Sequence, residues 1–322
     1  MKIFTLLFIL LILSVEIKSQ TRYDSVLIES EIVLKTSTGD IYGVLTIAKN
    51  SEITPIVLII AGSGPTDRDG NSPYGLQTNA YKMLAEGFAE KGISCLRYDK
   101  RGISKSKLAM ISESELRLET YIKDVSDWIN LLKSDNRFSD IYILGHSEGS
   151  LIGMVAASSD SSLSGFISIS GVAKSADKIL LEQLDGKLPP NLIDESIRIL
   201  DSLKLGKTVS KVNSSLMAIF RPSVQPYMIS WFKYDPAIEI AKLKMPVCII
   251  QGTTDLQVNV DEAKALSVAK PDATLIIIQN MNHVLKESDS NPQENMATYN
   301  KPSLPLKSEL IEKLVSFIME NK

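Results

Sequence analysis

Ile141-Tyr142-Ile143-Leu144-Gly145-His146-Ser147-Glu148-Gly149-Ser150 decides how this chain is read. Ile141 to Leu144 is an apolar run suited to a buried strand, and Leu151 to Ala157 can follow as a helix packed on it. Between them stands Gly-x-Ser-x-Gly centred on Ser147, the nucleophile-elbow pattern. A sharp strand-to-helix turn leaves little room for side chains two residues to either side, a demand that Gly145 and Gly149 meet. Such a turn lifts the Ser147 hydroxyl above the sheet edge and aims the first amides of the new helix at the same spot. A serine hydroxyl is a poor nucleophile at neutral pH and needs a neighbouring base.

The chain holds only two histidines. His146 adjoins Ser147, and successive side chains at an elbow diverge, so it is expected to pack the turn. His283 remains as the base. It lies just past the strand expected at Thr274 to Ile278, at the rim where sheets of this kind bind ligands. The base needs a carboxylate to hold its tautomer. Asp255 sits a few residues beyond the preceding strand, Pro246 to Ile250, and is favoured over Asp261. Asp261 falls in the first turn of a helix, where acids complement the helix dipole. The order along the chain is then Ser147, Asp255, His283.

Around these residues the pattern alternates strand and helix. Segments from Tyr23 to Thr36 and from Ile41 to Ala48 read as a hairpin across the turn Ser37-Thr38-Gly39-Asp40. Pro55 to Ala61 is continuously apolar, which suits a parallel strand covered on both faces. The loop after it, Gly62-Ser63-Gly64-Pro65, lets backbone amides approach a ligand, or is simply a glycine-rich turn. Helices are expected over 78–91, 119–133, 260–269 and 308–319, and further strands over 93–98 and 165–170. Asp99 and Arg101, in the turn after the 93–98 strand, are expected to pair with each other. From Val172 to Lys244 no strand is convincing; a helix over 191–205 is capped by Asn191, with Ile193, Ile197 and Leu200 sharing a face. This stretch is too long for a loop and reads as an inserted helical lid. Its aromatic residues Tyr227, Trp231 and Phe232 either fix it to the body or form an apolar wall of a substrate pocket.

Composition narrows the field. The 322 residues carry a formal net charge of −3, which points to neither nucleic acid nor an anionic membrane as partner. Lys2 followed by the apolar run Ile3 to Val15 and the polar Glu16-Ile17-Lys18-Ser19 reads as a secretory signal peptide over 1–19. The expected product is exported, periplasmic or extracellular, with no stable membrane insertion once the peptide is removed. Cys95 and Cys248 both fall in buried strands and are expected as free thiols, neither bridged nor metal-binding. No metal or cofactor is called for.

Together Ala61-Gly62-Ser63-Gly64-Pro65, Arg97-Tyr98-Asp99-Lys100-Arg101-Gly102, Gly145-His146-Ser147-Glu148-Gly149, Gly252-Thr253-Thr254-Asp255 and Met281-Asn282-His283 resemble the α/β-hydrolase superfamily, in its serine esterase and serine aminopeptidase-like branch. The resemblance covers essentially the whole chain after residue 19. It implies an α/β-hydrolase fold: a mostly parallel central sheet flanked by helices, formed by 20–171 and 245–322, with 172–244 as the lid. It implies that the Ser63 and Glu148 N–H groups form the oxyanion hole, although Ala61 stands where the family has histidine. It also places the Cys95 and Cys248 strands four positions apart, roughly 19 Å, beyond disulfide reach. The implied activity is cleavage of a small acyl ester through an acyl-enzyme. The rival is an exopeptidase, which needs a carboxylate for the substrate's ammonium group; Glu182, Asp185, Asp194 and Glu195 are available. A binding protein on the same scaffold is the third reading.

Overall fold

The computed structural model describes residues 27–48 and 53–322; the segment read as a signal peptide lies outside them. Eight strands form one sheet: β1 (Leu27–Thr36), β2 (Gly39–Ala48), β3 (Thr54–Ile60), β4 (Ser94–Tyr98), β5 (Phe138–His146), β6 (Gly165–Ile169), β7 (Val247–Gly252) and β8 (Thr274–Ile278). Their order across the sheet is β1-β2-β4-β3-β5-β6-β7-β8. The pairings β1–β2 and β2–β4 are antiparallel, and all others are parallel.

All seven residues of β3 are buried, because helices cover both faces of the sheet. Ile56, Leu58 and Ile60 point into one apolar layer, with Val125, Trp128 and Ile129 of α2 (Leu118–Lys133) and Leu151 and Ile152 of α3 (Glu148–Ser158). Val57 and Ile59 point into the other, with Leu84 and Phe88 of α1 (Ala80–Glu90) and with Leu310, Leu314 and Phe317 of the C-terminal helix Ser308–Glu320. This is the mostly parallel, helix-flanked α/β-hydrolase fold that the resemblance implied.

Between β6 and β7 the chain leaves the sheet and forms α4 (Ala176–Leu184), α5 (Pro190–Lys204), α6 (Met217–Phe220), α7 (Gln225–Trp231) and α8 (Pro236–Ala241). The insertion builds a small apolar cluster of its own from Leu184, Leu192, Ile199, Leu200, Leu203, Leu216, Phe220 and Met228. Two expectations here need correcting. Asn191 does not cap α5: the helix starts at Pro190, whose fixed φ and missing N–H suit the first helical position. Its buried face is Leu192, Ser196, Ile199, Leu200 and Leu203, whereas Ile197 is 38% exposed. The face is rotated because the insertion's own cluster, not the main body, is what α5 packs against. The insertion is tied to the body where Ser230 Oγ of α7 accepts a 2.7 Å hydrogen bond from the Leu118 N–H at the start of α2.

After β7 come α9 (Val260–Ala269), β8, α10 (Pro292–Ala297) and the C-terminal helix, α11. Asn259 caps α9, taking N–H groups of Asp261 and Glu262. Cys95 of β4 and Cys248 of β7 stand four strand positions apart as free, buried thiols, and burial pushes both up to about 12.

Asp99 and Arg101 do not pair with each other. Asp99 takes Arg68 Nη2 at 2.6 Å and the Arg68 and Lys105 N–H groups, while Arg101 forks onto both oxygens of Asp124 of α2. Side chains two apart on this turn diverge, and each finds a partner from a different element. Burial pushes the Asp124 carboxyl up to about 6 despite the guanidinium beside it, so the pair orders the turn rather than adding net stability. Cutting it is another matter, because Arg101 then keeps a buried charge with no counter-ion. Asp124→Ala is expected to destabilise the protein by about 3–5 kcal/mol in urea unfolding; a loss under about 1 kcal/mol would show the turn to be held by other contacts.

Candidate active site

Ser147 sits between β5 and α3 with φ 54° and ψ −122°, a backbone conformation that a non-glycine residue adopts only under strain. The structure shows why its neighbours are glycines. A Cβ on Gly145 would lie 2.4 Å from the Gly149 oxygen, and one on Gly149 would lie 2.3 Å from the Ile60 oxygen at the end of β3. The turn is pinned by the Ser147 N–H on Ile169 O of β6, at 3.0 Å.

Asp255 and His283 are brought together by a close crossing of two chain segments. A Cβ on Gly252 would fall 1.9 Å from the Met281 oxygen, so only glycine lets the end of β7 pass beneath the loop after β8. The N–H groups of Thr253 and Thr254 bond to Ile278 O and Met281 O across this crossing. Asn282 stiffens the loop from within, accepting the Val284 and Lys286 N–H groups and donating to Thr298 Oγ1 at 2.7 Å. His283 Nδ1 then lies 2.8 Å from Asp255 Oδ2. Asp255 is otherwise surrounded by donors: Gln251 Nε2 and the Gln257 and Val258 N–H groups. Burial opposes its ionisation, but the His283 ring and these donors outweigh it and hold the carboxyl at about 2.

Ser147 and His283 line one small cavity of about 100 Å³, together with Gly62, Ser63, Tyr81 and His146. The second histidine does more than pack the elbow. Tyr81 Oη lies 2.8 Å from His146 Nδ1 and accepts the Gly62 N–H, while His146 Nε2 lies 2.9 Å from the His283 carbonyl oxygen. A carbonyl only accepts, so Nε2 carries the proton and Nδ1 takes the Tyr81 hydroxyl proton. His146 thereby ties the β3 loop, the elbow and the His283 loop together, and both its nitrogens are occupied. Sequence gave no sign of this network, because Tyr81 lies 65 residues from its partner.

Burial and the adjacent His283 pull the His146 imidazole down to about 3, against ~6.5 for a free histidine. Below pH ~6.5 the unfolded chain therefore binds a proton here that the folded chain refuses until about pH 3. The stability from this group is intact above pH ~6.5 and is lost as pH falls, by about 3 kcal/mol at pH ~4.5. Urea titrations of wild type and His146→Gln at pH ~4.5 and ~7 check this: the variant should be weaker at neutral pH and flatter across the interval. Parallel curves would refute it.

Ser63 also lines a second, larger cavity of about 400 Å³, with Gly64, Lys100, Tyr121 and Glu148 from the body and Leu180, Ile219, Val224, Tyr227, Met228 and Trp231 from the insertion. Tyr227 and Trp231 thus face this space. Phe232 is placed elsewhere, against the insertion's own apolar cluster. The Ser63 and Glu148 N–H groups have no acceptor among the described residues. The Glu148 side chain accepts the Tyr227 hydroxyl at 2.7 Å, and Arg221 forks onto Glu113. Among the described residues there is no cluster of side chains able to hold a metal ion.

A family model described as serine aminopeptidase, S33, matches residues 74–289. The chain is 27% identical over 271 residues to Esterase EstD of Thermotoga maritima; the match takes in 79% of this chain and 60% of that protein, so this chain spans less than two thirds of its relative's length. Among solved structures it is similar to Est1E from Butyrivibrio proteoclasticus with ferulic acid bound, at a TM-score of 0.62 and 19% identity, over 90% of this chain and 98% of that one. It also resembles an esterase of Pyrococcus furiosus, at a TM-score of 0.56 and 14% identity, over 92% and 91% of the two chains.

Proposed function

As a member of the serine aminopeptidase (S33) family, with an α/β-hydrolase fold, this chain is, we propose, a serine hydrolase that cleaves small, uncharged carboxylic esters through an acyl-enzyme. The observation that carries the reading is the pair His283 Nδ1–Asp255 Oδ2 at 2.8 Å beside a cavity that His283 shares with Ser147 on its strained turn. With Asp255 ionised, Nδ1 of His283 holds a proton and Nε2 is left as the acceptor for the Ser147 hydroxyl. Ser147 Oγ bonds to the ester carbon as its proton passes to His283. The carbonyl electron pair moves to oxygen, where the Ser63 and Glu148 N–H groups receive it. The tetrahedral adduct collapses, and His283 protonates the departing alkoxide. Water repeats the sequence on the acyl-enzyme and frees the acid and Ser147.

The acyl group is assigned to the larger cavity, with the helical insertion as its lid and Tyr227 and Trp231 in its wall. What favours an ester over an N-terminal peptide is charge. Glu182, Asp185 and Asp194 are exposed, Glu182 is paired with Lys174, and Glu195 takes the Asn213 N–H. The carboxylates that do line the cavity, Glu148 and Glu113, already hold Tyr227 and Arg221. The cavity also holds Lys100, which feels the Glu148 charge, so a substrate ammonium group would have to share that one carboxylate with a resident cation, which is costly in a buried site. Purified protein should therefore turn over p-nitrophenyl acetate and butyrate and label with a fluorophosphonate, while aminoacyl p-nitroanilides stay intact. Faster release of nitroaniline than of nitrophenol would overturn the ester assignment in favour of the exopeptidase.

A further inference from the structure

Lys100 is a buried cation beside the site and plays no part in the reaction just described. It follows Asp99 in the turn after β4, is 3% exposed, and its Nζ lies 2.5 Å from the Gly62 carbonyl oxygen. Nζ also stands 5.6 Å from the centre of the Tyr121 ring, on the face that attracts a cation. Burial holds its pKa below the ordinary lysine value, and the charge of Glu148 offsets part of that fall.

The Gly62 carbonyl and the Ser63 N–H belong to one peptide unit. A cation held on the oxygen of an amide withdraws electrons from its nitrogen, which makes the N–H a stronger donor. The same contact fixes the plane of the peptide, so the N–H cannot swing away. The residue before is gripped as well: the Gly62 N–H donates to Tyr81 Oη, and a Cβ on Gly62 would lie 3.1 Å from Ser147 Cβ. The peptide next to the nucleophile is thus held in place and carries a positive charge on its far end.

We infer that Lys100 is a positioning residue for catalysis: its ammonium group, bound to the Gly62 oxygen, orients and polarises the Gly62–Ser63 peptide so that the Ser63 N–H stabilises the negative oxygen of the tetrahedral adduct. No proton leaves Lys100 and it touches no reacting atom. Its effect appears only when charge develops on the substrate oxygen, so it acts on the transition state and not on ester binding.

The inference rests on the proposed serine-hydrolase reading, and the test separates the two. A peptidic or alkyl trifluoromethyl ketone forms a hemiketal with an active serine, and ¹⁹F NMR follows ionisation of the hemiketal oxygen. The corresponding secondary alcohol binds without forming an oxyanion. Lys100→Met removes the charge at nearly constant length; Lys100→Gln keeps a donor without the charge and carries the test if the methionine variant does not fold. Loss of the charge is expected to lower kcat about 10–100-fold with KM little changed, and to weaken ketone binding by the same factor. It should raise the hemiketal pKa by about 1–2 units while affinity for the alcohol stays put. Lys100→Arg should recover part of the loss. Wild-type hemiketal titration in the uncharged variant, or equal losses for ketone and alcohol, would overturn the inference while leaving the hydrolase reading intact. A wild-type protein that neither forms the hemiketal nor takes a fluorophosphonate would overturn both.

Discussion

Ser147→Ala is expected to lower kcat for p-nitrophenyl acetate by about 10⁵–10⁶-fold and to abolish fluorophosphonate labelling. The fold should survive. Alanine loses one oxygen and meets the same φ of 54°, and the glycines that give the turn its clearance remain. The Ser147 N–H still reaches Ile169 O. Residual activity measures what the Ser63 and Glu148 amides and the cavity do unaided. Stopped assays on the purified variant, with circular dichroism to establish folding, decide the matter. Turnover within about tenfold of wild type would mean that another group is the nucleophile.

Asp255→Asn comes next in size, with an expected fall in kcat of about 10⁴-fold and little change in KM. The reason lies in the donors that surround the side chain. Gln251 Nε2 and the Gln257 and Val258 N–H groups all point hydrogens at Asp255. The two backbone N–H groups meet Oδ1, whereas Gln251 shares Oδ2 with His283, so an asparagine turns its oxygen toward the backbone pair and its NH₂ toward His283, displacing Gln251. The imidazole must then accept at Nδ1 and carry its proton on Nε2, facing Ser147, where it blocks proton removal. The stability change has a definite sign. Asp255 is held at about 2 when folded, so it adds stability above ~3.9, the value for an unfolded chain, and loses it as pH falls toward 2. The variant should accordingly lack that part of the acid dependence. A variant with near-wild-type kcat would show that His283 is oriented by something other than Asp255.

Much of the site could be read from the chain because its chemistry demands local patterns. Gly145, Ser147 and Gly149 announce the elbow because steric clearance on a tight turn is a property of near neighbours. Asp255 and His283 stood out because each follows a strand, and the ends of parallel strands share one rim. What escaped was set by tertiary contact. Nothing in Asp99-Lys100-Arg101 says that its three charged groups go to Arg68, the Gly62 carbonyl and Asp124. The role of Tyr81 was equally hidden, since a tyrosine on an amphipathic helix reads as core. The buried face of α5 was misjudged for a related reason: periodicity reports that a helix has an apolar side, but not which neighbour claims it. Phe232 illustrates the same limit. Its apolar character is plain, yet whether it meets a ligand or its own helices depends on packing that no short window contains.

The separate apolar cluster of the insertion has an evolutionary corollary. A segment that supplies its own interior, and is anchored to its host at defined points by Tyr227, Ile240 and Leu243 in the main core and by the Leu118–Ser230, Glu148–Tyr227 and Glu113–Arg221 bonds, is free to diverge faster than the sheet beneath it everywhere but at those points. Exchange of the whole piece at the junctions after β6 and before β7 would refit the molecule for another acid while the proton-handling apparatus is inherited unaltered. Diversity of diet in descendants of this chain should therefore concentrate between residues 172 and 244.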